Sequence, residues 1–285
     1  MKQLTGEAYS RARAYVLNHG LDLDRSLFTF RSESGTREQV FDALASYQNE
    51  DGGFGRALEP DLRSDLSSVY ATSQGLSLLR EIGATSTDYI VERAMAYISS
   101  TYDRKRKVWP IISAASLEAP CAGHWESIID SHDCFVNMRA GLTGHLWHYG
   151  DLIDDDISNP VTEAVISDLL NTPDEKLVWI FSLWSHLGLA EAHGLPLAYR
   201  EKIVGKLSRA VPLKLESDPS KWSIHSVSPV NVAPSPDAPL YPVIDNDLLD
   251  THLDHLIDHQ LPDGTWALDW SWEKKDPVHW RIAEV

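Results

Sequence analysis

The stretch YQNEDGGFGRALEPD, residues 47–61, places three glycines within four positions, flanks them with acidic residues, and has no strand pattern or phosphate loop around it. The residues before it settle what it is. Thr36 and Gln39 have the spacing of a capping box, and Val40, Phe41, Leu44, Tyr47 and Gln48 follow at helical intervals, so a helix over 36–48 runs directly into the glycines. Its Phe41, Leu44, Gln48, Asp51, Gly52 and Phe54 reappear with identical spacing as Leu253, Leu256, Gln260, Asp263, Gly264 and Trp266. A weaker copy, without the Gln and Gly, runs through Ile98, Tyr102, Asp103 and Trp109. The chemistry of this unit is structural. Glycine supplies the positive φ that ends a helix, Asp bonds turn N–H groups, and the Gln amide bonds free carbonyls. A recurring turn of this kind predicts helical hairpins that bury their apolar faces only against neighbours.

The rest of the chain fits that reading. Helical patterns cover roughly 5–19, 68–82 with Gly83 as the stop, 88–100, 134–149, 160–171, 175–192, 196–209 and 246–260. No convincing strand is found. Residues 211–245 carry Pro212, Pro219, Pro229, Pro234, Pro236, Pro239 and Pro242, too many for a helix interior, and form a covering loop whose Val, Ile and Tyr content predicts packing. The 285 residues are read as a single domain, 1–285, with this irregular loop inside it.

Composition sets limits on partners. With 42 acidic against 25 basic side chains, a net charge of −17 repels nucleic acid and anionic membrane surfaces. No signal peptide or membrane span is read, and two cysteines rule out a disulfide framework, so the expectation is a cytoplasmic protein. Ten Trp residues are many for this length and point to large flat apolar surfaces.

The strings QNEDGGF (48–54) and QLPDGTW (260–266) resemble the Gln-Trp repeats of the terpenoid cyclases and protein prenyltransferase β-subunits. The longer string YQNEDGGFGRALEPDLRSDLSSVYATSQGL is similar to a group of bacterial prenyltransferase-like proteins. The resemblance covers most of the chain, strongest at 25–82 and 250–282. It implies an all-α fold, an α/α toroid of paired inner and outer helices, with the ring open or incomplete here, enclosing an aromatic cavity for an apolar or isoprenoid-like small molecule.

The family's reactive motifs are missing, however. The chain has no Asp-x-Asp-Asp proton donor. Asp151, Asp154, Asp155 and Asp156 lack the last Asp of an Asp-Asp-x-x-Asp metal run and read as a solvated helix end. Asp133 next to Cys134 is not the zinc spacing. His252, His255 and His259 share one side of a helix but read as a solvated flank, and no metal or cofactor is assigned.

Candidate chemistry falls elsewhere. Glu59 and Asp61 flank Pro60, and an extended backbone there would aim both carboxylates one way, about 6–7 Å apart, as a catalytic pair. Alternatively they pair with Arg56, Arg63 or a helix N-terminus. Ligand contacts are assigned to Arg63, to His132, Asn137 and Arg139 near the start of a helix, and to Trp125, Trp270 and Trp272 in segments where the helix pattern demands no Trp. Two other functions stay open: a carbohydrate-active hydrolase or lyase, and a protein-binding scaffold. Oligomeric state is not read from the sequence.

Overall fold

The computed structural model describes residues 1–129, 132–177 and 179–268, for 132–137 by backbone alone. Among these residues every regular element is helical, and strand-type pairing is confined to isolated bridges. No helix among them is long and apolar enough to cross a membrane. The expected all-α class is therefore found. The chain divides into two compact units: Thr5–Cys134 with the chain from Leu261 onward, and Phe135–Gln260 with Met1–Leu4.

The first unit contains α1 (Gly6–His19), α2 (Asp22–Ser32), α3 (Arg37–Ala45), α4 (Val69–Glu81), α5 (Tyr89–Ser100) and the short α6 (His124–Ile128). Local chemistry explains the boundaries. Thr36 caps α3 through Gln39 N–H while the Gln39 side chain accepts the Thr36 N–H, the reciprocal pair expected from sequence. Ser68 caps α4 at the Ala71 N–H, and Gly83 stops it with φ +73°. Helix α2 is one that periodicity does not mark. Only Leu23 and Leu27 of α2 are buried, and Phe28, Thr29 and Phe30 favour strand as much as helix. Asp24, which accepts the Leu21 N–H, starts it. Val40, Leu44, Leu76, Leu79, Val91, Met95 and Ile98 form the core of this unit, each contributing roughly 1.5–3 kcal/mol on burial.

The second unit carries α7 (His132–His148) from Phe135 onward, then α8 (Asp155–Asn171), α9 (Ile180–Ala190), α10 (Leu197–Ala210), the short α11 (Pro229–Val232) and α12 (Asn246–Asp258). The acidic residues Asp154, Asp155 and Asp156 are exposed at the start of α8, where the helix dipole favours them. The Pro-rich 211–245 segment breaks into single turns. Its Val227, Val232, Ala233, Ala238, Leu240 and Ile244 are buried in the same core as α8, α9 and α10, so it packs as expected.

His252 and His255 of α12, and His259 just past its end, pack as aromatic rings. His252 stacks on Trp222 at 4.2 Å between ring centres, and His255 stacks on His259 at 3.8 Å. Burial of His252, with His255 beside it, lowers its pKa to about 4 and keeps the ring neutral.

Candidate functional site

The turn 48–54 places the site. The Gln48 side-chain amide donates to the Gly52 carbonyl and to the Ile90 carbonyl of α5, both at 2.9 Å. Asp51 accepts from the Gly53 N–H and the Ser67 hydroxyl. Gly52 sits at φ +90°, and a Cβ there would lie 2.4 Å from the Arg93 carbonyl oxygen, so the turn admits only glycine. Phe54 is wholly buried, and its backbone N–H donates to the Thr72 hydroxyl of α4. The staple between helix ends read from the sequence is present here as a set of named bonds.

After the turn the backbone passes through two successive left-handed residues, Arg56 (φ 54°) and Ala57 (φ 60°), a conformation costing roughly 1–2 kcal/mol per residue. Arg56 is spent on this bend. Its guanidinium donates to Asn49 Oδ1 and to the Ser46 carbonyl, and Asn49 in turn donates to the Asp65 carbonyl and Ser67. It is therefore committed to the turn rather than to the Glu59–Asp61 carboxylates.

Glu59-Pro60-Asp61-Leu62 is a turn, closed by the Leu62 N–H on the Glu59 carbonyl at 3.1 Å, and not the extended segment expected. The consequence is chemical. Instead of standing about 6–7 Å apart on an extended strand, the two carboxyl groups share one tight turn, where the negative charge of Asp61 disfavours ionisation of Glu59. Two carboxyls held close together cannot both be ionised cheaply, so one keeps a proton. The donors around them decide which. Trp125 Nε1, which can only donate, bonds Asp61 Oδ1 at 2.7 Å, and His124 Nε2 stands 3.4 Å from Asp61 Oδ2. Asp61 is thus the acceptor and Glu59 the acid. Burial, followed by the negative charge of Asp61, pushes the Glu59 carboxyl up to about 8; the Gln74 amide, donating at 3.2 Å, and the Asp61 backbone N–H oppose that shift.

Aromatic groups enclose the pair. Trp125, 2% exposed, meets the Tyr70 ring edge-on at 4.9 Å, and the His124 imidazole lies 5.0 Å from the Trp125 ring. Tyr70 and Gln74 are one turn apart on one face of α4. Burial, with Glu59 and Asp61 adding to it, raises the Tyr70 pKa far above its ordinary value, so the phenol stays protonated. A short two-stranded pairing holds the acidic turn against this wall: Ala122 N–H donates to the Asp61 carbonyl at 2.9 Å and Arg63 N–H to the Pro120 carbonyl at 3.0 Å, around a Leu62–Cys121 bridge.

Of the site residues read from the sequence, the structure brings together Glu59, Asp61 and Trp125, with Arg63 on the adjoining backbone pair. Trp125 is in a helix and buried, not in an open loop. Arg139 lies in the second unit, where its guanidinium pairs with Asp168. His132 and Asn137 fall on α7, but their side chains are outside the described residues, as are Trp270 and Trp272 entirely. Sequence reasoning misses Tyr70, Gln74 and His124. The i, i+4 spacing of Tyr70 and Gln74 is a usable signal, since a Gln and a Tyr on one helix face offer hydrogen-bond donors to a neighbouring acidic turn. Compared with protein-family models and with curated proteins, the chain matches none.

Proposed function

We propose that this chain is a small-molecule enzyme of the terpenoid cyclase and prenyltransferase-like class, its helices paired as in an α/α toroid, and that Glu59 donates a proton to a small, uncharged, largely apolar substrate of isoprenoid type. The observation that carries this reading is the geometry of the acidic turn: Gln74 donates to Glu59 at 3.2 Å, while Trp125 and His124 occupy the oxygens of Asp61. Protonating a carbon–carbon double bond takes a neutral carboxylic acid whose conjugate base is stabilised once the proton leaves. Asp61 orients the acidic proton, Gln74 and the Asp61 N–H stabilise the Glu59 carboxylate that remains, and Trp125 with Tyr70 supplies π-faces beside a developing cation. The resemblance of the 47–76 string adds the ligand class.

A glycoside hydrolase holds its two carboxyls about 5–5.5 Å apart or wider, with the sugar or a water between them, and the placing of Glu59 and Asp61 on one tight turn counts against that reading. The test is incubation with linear isoprenoid alcohols in D₂O, followed by mass spectrometry of the product. One deuterium enters per turnover with the native chain, and Glu59→Gln reduces the rate at least about 100-fold, because it keeps the shape and removes the acid. Undiminished deuterium incorporation by Glu59→Gln, or hydrolysis of glycosides by the native chain, defeats the reading.

A further inference from the structure

The second unit contains a separate cavity that the proposed chemistry does not use. It lies between α7, α8, the 172–179 connection and α9, with a volume of about 140 Å³. We infer that this cavity binds a small organic carboxylate, its anionic head at Arg139 and its carbon body against Val165, Leu169, Leu177 and Trp179.

Size comes first. A protein cavity of about 150 Å³ takes up benzene, so the guest has roughly six to eight non-hydrogen atoms. Charge comes next. The wall presents two cations, Arg139 and Lys176, against one anion, Asp168. His186 adds no charge, because its Nδ1–H is held by the Ser182 carbonyl at 2.7 Å and burial depresses its pKa. The buried Arg139 guanidinium needs an anionic partner at all times, and a guest carboxylate can take that place from Asp168. The apolar remainder of the wall selects a carboxylate carrying a hydrocarbon body over inorganic phosphate.

The Arg139–Asp168 ion pair is lopsided in a way that suits exchange. The Arg139 side chain is 5% exposed and the Asp168 side chain 51% exposed, so the cation is fixed in the interior while its partner stands at the mouth. Asp168 can turn to water when a guest carboxylate arrives, and the guanidinium then keeps an anionic partner throughout. Asp168 acts as an internal competitor for the site. Lys176, exposed on the connection after α8, adds attraction at the mouth.

Titration of the full chain with isovalerate, benzoate and inorganic phosphate, followed by calorimetry, tests this. At least one carboxylate is expected to saturate, with phosphate at least about tenfold weaker. Arg139→Gln should weaken the carboxylate about tenfold or more, the loss of a charge-assisted bond. Because truncating a buried guanidinium endangers the fold, two milder variants keep the test decisive. Lys176→Gln should weaken binding a few-fold at low salt, and Asp168→Asn, which removes the competitor, should tighten it. No saturation by either carboxylate, equal affinity for phosphate, or weaker binding by Asp168→Asn overturns the inference.

Discussion

The two copies of the Gln-Asp-Gly-aromatic turn carry the same residues into different surroundings. Both glycines are left-handed, Gly52 at φ +90° and Gly264 at +99°, and both press on another segment's backbone, of α5 in the first copy and α1 in the second. In both, the Asp side chain accepts the N–H two residues on, from Gly53 and from Thr265. The aromatic then parts ways: Phe54 is fully buried, whereas Trp266 is 42% exposed. The first copy also has a continuation of its own, since Phe54 leads through the left-handed bend to Glu59 and Asp61. A turn motif therefore specifies how a helix ends, and the packing of its last residue decides whether it becomes a foundation for anything else.

The sharpest way to break this contrast is at the aromatics. Phe54→Ala should cost about 3–5 kcal/mol, as a wholly buried ring is lost, while Trp266→Ala should cost less than about 1 kcal/mol. Urea denaturation of both variants checks this, and equal losses would mean the two turns are energetically equivalent.

The acidic turn supplies the next effect. Glu59 has its pKa raised in the folded chain, so its ionisation opposes folding: the penalty is absent below about pH 4.5, the value the group starts from, grows as pH rises and levels off above about 8. Glu59→Gln should accordingly be more stable than the native chain by on the order of 1–3 kcal/mol at pH 9 and level with it at pH 4. Melting temperatures across that range read the difference, and a pH-independent offset would show that Glu59 ionises as freely as an exposed carboxyl. By the same sign, proton donation declines as pH rises through about 8.

The smallest effect sits in the staple itself. Gln48→Ala leaves the Ile90 and Gly52 carbonyls without this donor and should cost about 1 kcal/mol. A loss confined to the unfolding rate would indicate that the bond between the two helix ends forms late in folding.

Much of the helical architecture is legible in the residues because caps and 3.6-residue periodicity are local. Thr36 with Gln39 and Ser68 before Val69 mark their helices, and Gly83 stops one, without reference to anything distant. Helix α2 escapes because Phe28-Thr29-Phe30 carries no helical signal of its own and only two of its side chains are buried. The candidate site is half legible. Glu59 and Asp61 stand out by being acidic around a proline, but whether Pro60 sits in an extended run or a turn depends on Leu62 closing back on Glu59. The partners are less accessible still. Trp125 meets Asp61 through the pairing of 61–63 with 120–122, a contact between segments some sixty residues apart that no local pattern announces. The pairing of Arg139 with Asp168 is hidden for the same reason.

That two-strand pairing also sets a clock for the site. The amides of Arg63 and Ala122 are each engaged across the bridge, so they exchange with solvent deuterium only when it opens. Neither strand belongs to a sheet, so the opening breaks only this one pairing of backbone segments. The wall that carries Trp125 and the turn that carries Asp61 can then separate and rejoin, so the docking of Trp125 onto Asp61 is an equilibrium of its own, readable at two backbone amides.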